Sequence, residues 1–201
     1  YETYFDALDL GFNITYFDIL IEDPIMGSNI TNFQDNVPGA ENKSKGIELA
    51  TNWTDNKKLG IDFNYTLTRS YSGGDCDKPD RDKWGQTSCN ASDNKFLKNA
   101  MVRVPIHAIG SKIKYQFNKN LKSSLQLTYK GQTRDYGGTD YSFKDQILDD
   151  YLLVDLASTY ALSENYKIDF SLKNLFDQNH ENSLDYSGTP RTLNIGLKIG
   201  Y

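Results

Sequence analysis

The chain has 201 residues, enough for one domain, with a net charge of −5, 38 % hydrophobic and 13 % aromatic residues, and a mean hydropathy of −0.63. No stretch approaches the ~20 apolar residues of a membrane helix, and positive and negative charges are interspersed, which gives no case for a nucleic-acid partner. Aromatic and β-branched residues are too many and too regularly placed for disorder.

Taken in order, the chain reads as a series of strands. Tyr1 to Phe5 already looks like part of one, with neither an initiating Met nor a signal peptide, so the sequence predicts a piece of chain that begins mid-fold. Leu8, Leu10, Phe12, Ile14 and Tyr16 alternate with polar residues; Phe17, Ile19 and Ile21 then continue in the opposite phase, which predicts a β-bulge near Tyr16–Phe17. A turn-rich loop at 24–36 precedes a strand ending at Lys45–Trp53 and a polar turn at 54–58. Leu59 to Arg69 alternates strictly, and a loop at 71–95 follows. Val102, Val104, Ile106 and Ala108 predict a strand, with Pro105 and Gly110 marking a bulge or bend before Ile113, Tyr115 and Phe117 resume. After a tight turn at 118–120 come the strand Leu121–Lys130, a loop at 134–149, the strand Tyr151–Leu162 and a tight turn at 163–165. Two strands close the chain, Tyr166–Lys173 and Leu193–Tyr201, separated by a loop at 176–190.

This pattern predicts an all-β, antiparallel fold of eight strands plus the partial one at Tyr1–Phe5. A period of two places one set of side chains on each face, and the apolar set faces either a second sheet or lipid. A run of about ten residues at ~3.3 Å each is roughly 33 Å long; tilted, it covers the roughly 25 Å apolar band of an outer-membrane barrel. The connections also alternate, short at 54–58, 118–120 and 163–165 and long at 24–36, 71–95, 134–149 and 176–190. Outer-membrane barrels sort their connections this way, with short periplasmic turns and longer outer loops. Aromatics near strand ends (Trp53, Tyr71, Phe117, Tyr129, Tyr151, Tyr160, Tyr166, Tyr201) fit interfacial girdles. Phe170 and Leu197 are expected to face lipid. Asp62, Lys112, Lys114, Lys167, Asp169 and Lys173 are expected to face water or a part of the molecule inside the barrel.

Few residues carry chemistry. Cys76 and Cys89 share one polar loop, which suits a loop disulfide in an oxidising compartment. Asp75, Asp77, Asp80 and Asp82 lie in the same loop but lack EF-hand spacing, so a solvated acidic loop is expected rather than a calcium site. His107 and His180 have no Ser or Cys partner, so no enzyme and no cofactor are expected. The Asn-x-Ser/Thr matches at Asn13, Asn29, Asn42, Asn52, Asn64 and Asn90 read as chance in a chain rich in these residues.

Lys173-Asn-Leu-Phe-Asp177, Asn182 to Gly188 and Pro190-Arg-Thr-Leu-Asn-Ile-Gly-Leu-Lys198 resemble the closing segment of TonB-dependent outer-membrane receptors. Ser44-Lys-Gly-Ile-Glu48 resembles a stretch midway along these barrels, and Phe12 to Ile25 a strand a little upstream. Tyr201 stands where Phe or Trp is more usual. The resemblance marks Asn174, Leu175, Phe176, Asp177, Arg191 and Tyr201 as the C-terminal barrel signature. It implies that the chain supplies the last eight or nine strands of a barrel of about 22. It also implies uptake of a scarce nutrient, cobalamin or a ferric siderophore, captured at the outer loops of a bacterial outer-membrane protein. The plug domain and TonB box lie outside these residues, so contact with the TonB complex is expected only through that plug. The competing reading is a complete small eight-stranded barrel with a structural or adhesive role.

Overall fold

The computed structural model describes residues 1–5, 8–22, 25–27, 34–36, 41–55, 57–72, 100–135 and 146–200. Its strands are β1 (Glu2–Phe5), β2 (Leu10–Glu22), β3 (Ile25–Gly27), β4 (Gln34–Asn36), β5 (Glu41–Thr54), β6 (Leu59–Ser72), β7 (His107–Gln116), β8 (Leu121–Lys130), β9 (Thr133–Asp135), β10 (Gln146–Leu148), β11 (Tyr151–Ala161), β12 (Tyr166–Lys173), β13 (Glu181–Ser183), β14 (Tyr186–Ser187) and β15 (Thr192–Ile199). Nine form one sheet in the order β1-β2-β5-β6-β7-β8-β11-β12-β15, all antiparallel. The others form three two-stranded ribbons inside the long connections: β3–β4, β9–β10 and β13–β14. Each wall strand pairs with its neighbour in the chain, so the fold is an up-and-down meander of the nine strands that alternation predicted. The sheet is open, with β1 and β15 at opposite edges.

Register turns the separate alternations into two continuous faces. Ile14, Leu49, Tyr65, Ile109, Tyr129 and Leu152 form one rung across six strands. Leu156, Leu172 and Leu193 form another. The opposite face carries Asn52, Asp62, Lys112, Gln126 and Asp155 in one rung. Lys114, Lys167, Asp169 and Lys173 fall on that polar face too, as the alternation expected. Among the described residues, no second layer covers the apolar face. Leu193, Ile195 and Leu197 on β15 are 56 %, 71 % and 61 % exposed. Contiguous exposed apolar faces mark interaction or membrane surfaces, and with strands of this length the face is assigned to lipid and the polar one to the barrel interior.

Three expectations fail, each for a local reason. There is no bulge at Tyr16–Phe17, because β2 pairs with β5 without a slip from Leu10↔Trp53 to Glu22↔Glu41. Phe17 turns inward instead, into the space left by Gly46, where an added Cβ would lie 2.7 Å from the Phe17 ring. Val102 and Val104 lie outside any strand. That segment is drawn off the sheet by Arg103, which has a φ of 62° and donates its backbone N–H to Arg134 O at 2.8 Å. Gly110 makes no bend; it sits mid-ladder between Asn64 and Thr128, with the Asn64 carboxamide lying where a Cβ would go.

Two of the short turns are closed by side chains. Asn118 Oδ1 accepts the N–H groups of Asn120 and Leu121, both at 2.9 Å. Asp55 Oδ1 accepts those of Lys57, Lys58 and Leu59 at 2.7–2.8 Å. The Leu59 N–H, then those of Lys57 and Lys58, hold the Asp55 carboxyl below its ordinary range. A depressed carboxyl pKa contributes stability that is present above the unfolded-state value of about 3.9 and lost as pH falls through the folded one. Asp55→Ala is therefore expected to speed amide exchange at Lys58 and Leu59 near neutral pH, with the difference from wild type closing as pH drops below about 3.9.

Candidate functional site

The lipid-facing wall has little core of its own, and tight packing gathers at the long-loop end. Thr133 and Asp135 are 1 % exposed and Ala100 2 %; Leu148, Leu184 and Asn174 are also buried. β9 and β10 pair through Thr133↔Leu148 and Asp135↔Gln146. This ribbon is the post on which the neighbouring connections rest.

Asp135 is the hub of the cluster. Both its carboxylate oxygens accept from Arg103 Nε at 3.1 Å. Oδ2 also accepts from Ser183 Oγ at 3.1 Å and from the Leu184 N–H at 2.9 Å. Arg134 donates to Ala100 O at 2.7 Å. One buried carboxylate thus joins the segments before β7, after β8 and between β12 and β15. A buried charge is tolerated only when its acceptor sites are filled in this way.

Of the residues that the resemblance marks, Asn174, Leu175, Asp177 and Arg191 make hydrogen bonds that close the last connection. Asn174 has a φ of 49°, a conformation that Asn adopts more readily than most residues. Its Nδ2 donates to Gln178 O at 3.0 Å and Thr189 O at 3.1 Å, and its Oδ1 accepts from Gln178 N at 2.8 Å. Its own N–H donates to Asp155 Oδ1 at 2.8 Å, and the Leu175 N–H to Val154 O at 2.8 Å. Asp177 Oδ1 accepts the Arg191 N–H at 2.8 Å, just before β15. Phe176 is exposed. Asn174 and Asp177 thus close the loop that leads into β15. Asn174→Ala removes three side-chain bonds from a buried site and leaves Ala in a disfavoured backbone region. It should cost about 2–3 kcal/mol locally, read as faster amide exchange at Leu175 and Gln178. Cys76, Cys89, Tyr201 and the Asp75–Asp82 loop lie outside the described residues. Among the described residues, no group of three or more His, Cys, Asp or Glu side chains could hold a metal ion.

Just inside the mouth, Lys130 and Tyr151 share a rung on the inward face. Tyr151 is thus an interior residue and not part of the girdle that its strand-end position predicted. Its hydroxyl donates to Asn182 Oδ1 at 3.0 Å, and its ring lies 4.6 Å from that of His180. Lys130 Nζ donates to Asn182 O at 3.3 Å and stands 5.9 Å over the Tyr151 ring. An ammonium, an imidazole and a phenol ring thus meet at one point of the interior wall. Such a group can hold an anionic or aromatic ligand by charge, stacking and hydrogen bonding. Sequence reading named His180 without a partner and missed Asp135, Arg103 and Lys130. Their chemistry arises from contacts between connections far apart in the chain; the available signal was the Arg134-Asp135 pair directly after a strand end.

Residues 1–175 match the family model described as TonB dependent receptor-like, beta-barrel. The iron-regulated outer membrane virulence protein of Vibrio cholerae serotype O1 is 24 % identical over 168 residues, which is 83 % of this chain and 22 % of that protein. The ferric-catecholate import receptor Fiu of E. coli K12 in its closed form superposes with a TM-score of 0.70 at 16 % identity, over 96 % of this chain and 25 % of that one. The siderophore receptor PiuA of Acinetobacter baumannii gives a TM-score of 0.68 at 19 % identity, over 98 % of this chain and 27 % of that one. At these identities the superpositions establish the fold, and this chain spans about a quarter of the length of each relative. With the nine-stranded wall, the uncovered apolar face and the match along residues 1–175 together, the chain belongs to the TonB-dependent receptor family of the outer membrane, as part of its β-barrel.

Proposed function

We propose that the chain forms the later wall and part of the mouth of a receptor that takes up a ferric siderophore, with energy coupling through a plug domain and TonB that lie outside these residues. The carrying observation is the inward group of Lys130, Tyr151, His180 and Asn182 at the long-loop end, the extracellular side in this family. A ferric chelate with acidic oxygen donors presents negative charge and often aromatic rings, and this group answers both. The narrower similarity to cobalamin receptors gains nothing from the relatives named above, which are described by iron, catecholate and siderophore. The small closed barrel is disfavoured by the family match and the open sheet.

The test is tryptophan-quenching titration of the intact protein with a panel of ferric siderophores and with cyanocobalamin. At least one anionic ferric siderophore should bind, cobalamin should not, and Lys130→Ala should weaken the former about tenfold, equivalent to ~1.4 kcal/mol. Binding of cobalamin alone, or indifference to Lys130→Ala and His180→Ala, would overturn the reading.

A further inference from the structure

The guanidinium of Arg103 is held by one nitrogen only. Its Nε carries both bonds to Asp135, at 3.1 Å to each carboxylate oxygen. A fork pair of guanidinium and carboxylate uses two parallel N–H···O bonds from two nitrogens. Here, among the described residues, no acceptor meets the N–H groups of Nη1 and Nη2. The Arg103 side chain is 57 % exposed, while that of Asp135 is 1 % exposed. Asp135 Oδ2 is also supplied by Ser183 Oγ and the Leu184 N–H. The contact therefore fixes the direction of the guanidinium and leaves most of its donors unused. The backbone is pinned as well: Arg103 has a φ of 62°, and its N–H donates to Arg134 O at 2.8 Å. A side chain anchored at its root and at its Nε has little freedom left to lose when a ligand arrives.

This fork borders the group at the mouth. The charges that bear on Lys130 are those of Asp135 and Arg103. Lys130 Nζ donates to Asn182 O, and Asp135 accepts from Ser183, the next residue. Two cations thus share one carboxylate, which leaves one positive charge in excess beside Tyr151, His180 and Asn182. We propose, resting on the siderophore reading above, that Arg103 touches the ligand and that its Nη edge takes a free carboxylate carried by the ferric chelate. A planar anion with two equivalent oxygens matches Nη1 and Nη2, whereas the ammonium of Lys130 is a point charge that reads no such shape. Asp135 is then a positioning residue, aiming the fork and holding the β13 ribbon with the same carboxylate. If Arg103 only neutralised Asp135, a lysine would serve in its place; a lysine cannot form the fork.

The test titrates the intact protein, by tryptophan quenching, with two ferric trishydroxamates that differ only in a pendant group, a free carboxylate or its methyl ester. The acid should bind about tenfold more tightly than the ester. Arg103→Lys should erase that preference while amide exchange at Leu184 stays as in wild type. Lys112→Gln, which removes an inward charge elsewhere on the wall, should keep the preference. No preference for the acid in the wild type, or a preference that survives Arg103→Lys, would overturn the proposal. Faster exchange at Leu184 in Arg103→Lys would assign Arg103 to support of the mouth and count equally against it. The siderophore reading stands or falls separately: it survives equal binding of acid and ester if a ferric siderophore of the panel binds and Lys130→Ala weakens it.

Discussion

Phe170→Arg is expected to cost about 2–4 kcal/mol of folding free energy in lipid vesicles, while Asp169→Asn, its chain neighbour, is expected to cost little. Phe170 lies midway along β12, between Ser158 on β11 and Ile195 on β15, on the apolar face, which no other described strand covers. An arginine there must place its guanidinium among hydrocarbon chains or bend toward the headgroups. Asp169 points the other way. It accepts from Thr159 Oγ1 at 2.6 Å and pairs with Lys198 at 2.6 Å, whose side chain is 71 % exposed. Water and the interior wall replace much of what the amide variant loses. Urea titration of vesicle-folded protein separates the two cases. Similar costs at both positions would mean that the faces do not meet different solvents.

Asp135→Ala is expected to loosen the mouth by about 3 kcal/mol and leave the wall unchanged. Breaking a buried charge pair typically costs ~3–5 kcal/mol because the abandoned groups stay buried; here Arg103 is 57 % exposed, which argues for the low end. The buried Leu184 N–H and the Ser183 hydroxyl lose their acceptor together. Asp135→Asn can keep those two contacts through its one amide oxygen, but it loses the charge and puts an NH2 group where Oδ1 accepts from Arg103, so it should cost less than the alanine variant without matching wild type. Hydrogen exchange should rise at Leu184, Thr133 and Arg103 in the alanine variant, with no change at Leu125 or Leu156 in the wall. Uniform acceleration across the sheet would show that Asp135 supports the whole fold and not the mouth alone.

The wall was legible in the sequence because each strand carries its own instruction. Ile168, Phe170 and Leu172 announce their common face before any partner is known, and pairing with Leu193, Ile195 and Leu197 only confirms it. The errors came where that instruction lapses. Phe17, Ile19 and Ile21 looked like a slipped register because an apolar residue was assumed to face lipid; above the bilayer that demand ends, and Phe17 answers to Gly46 instead. Val102 and Val104 alternate like a strand, yet Arg103 is held by Asp135, 32 positions along the chain. Asn174 drew notice only through a resemblance, and the bonds it makes run to Gln178, Thr189 and Asp155, which no local pattern links. The mouth hub was illegible for the same reason: its bonds join three connections whose meeting is decided by the sheet order.

The most direct test of the account is a spin-label scan along β15, from Thr192 to Ile199, in the intact receptor reconstituted in lipid vesicles. Labels at Leu193, Ile195, Leu197 and Ile199 should be readily reached by oxygen, which concentrates in hydrocarbon, and poorly by a polar nickel chelate. Labels at Thr192, Asn194, Gly196 and Lys198 should show low oxygen access, giving a period of two. Flat accessibility along the strand, or low access to both reagents at the odd positions, would place that face against protein and contradict the assignment of the wall to the membrane.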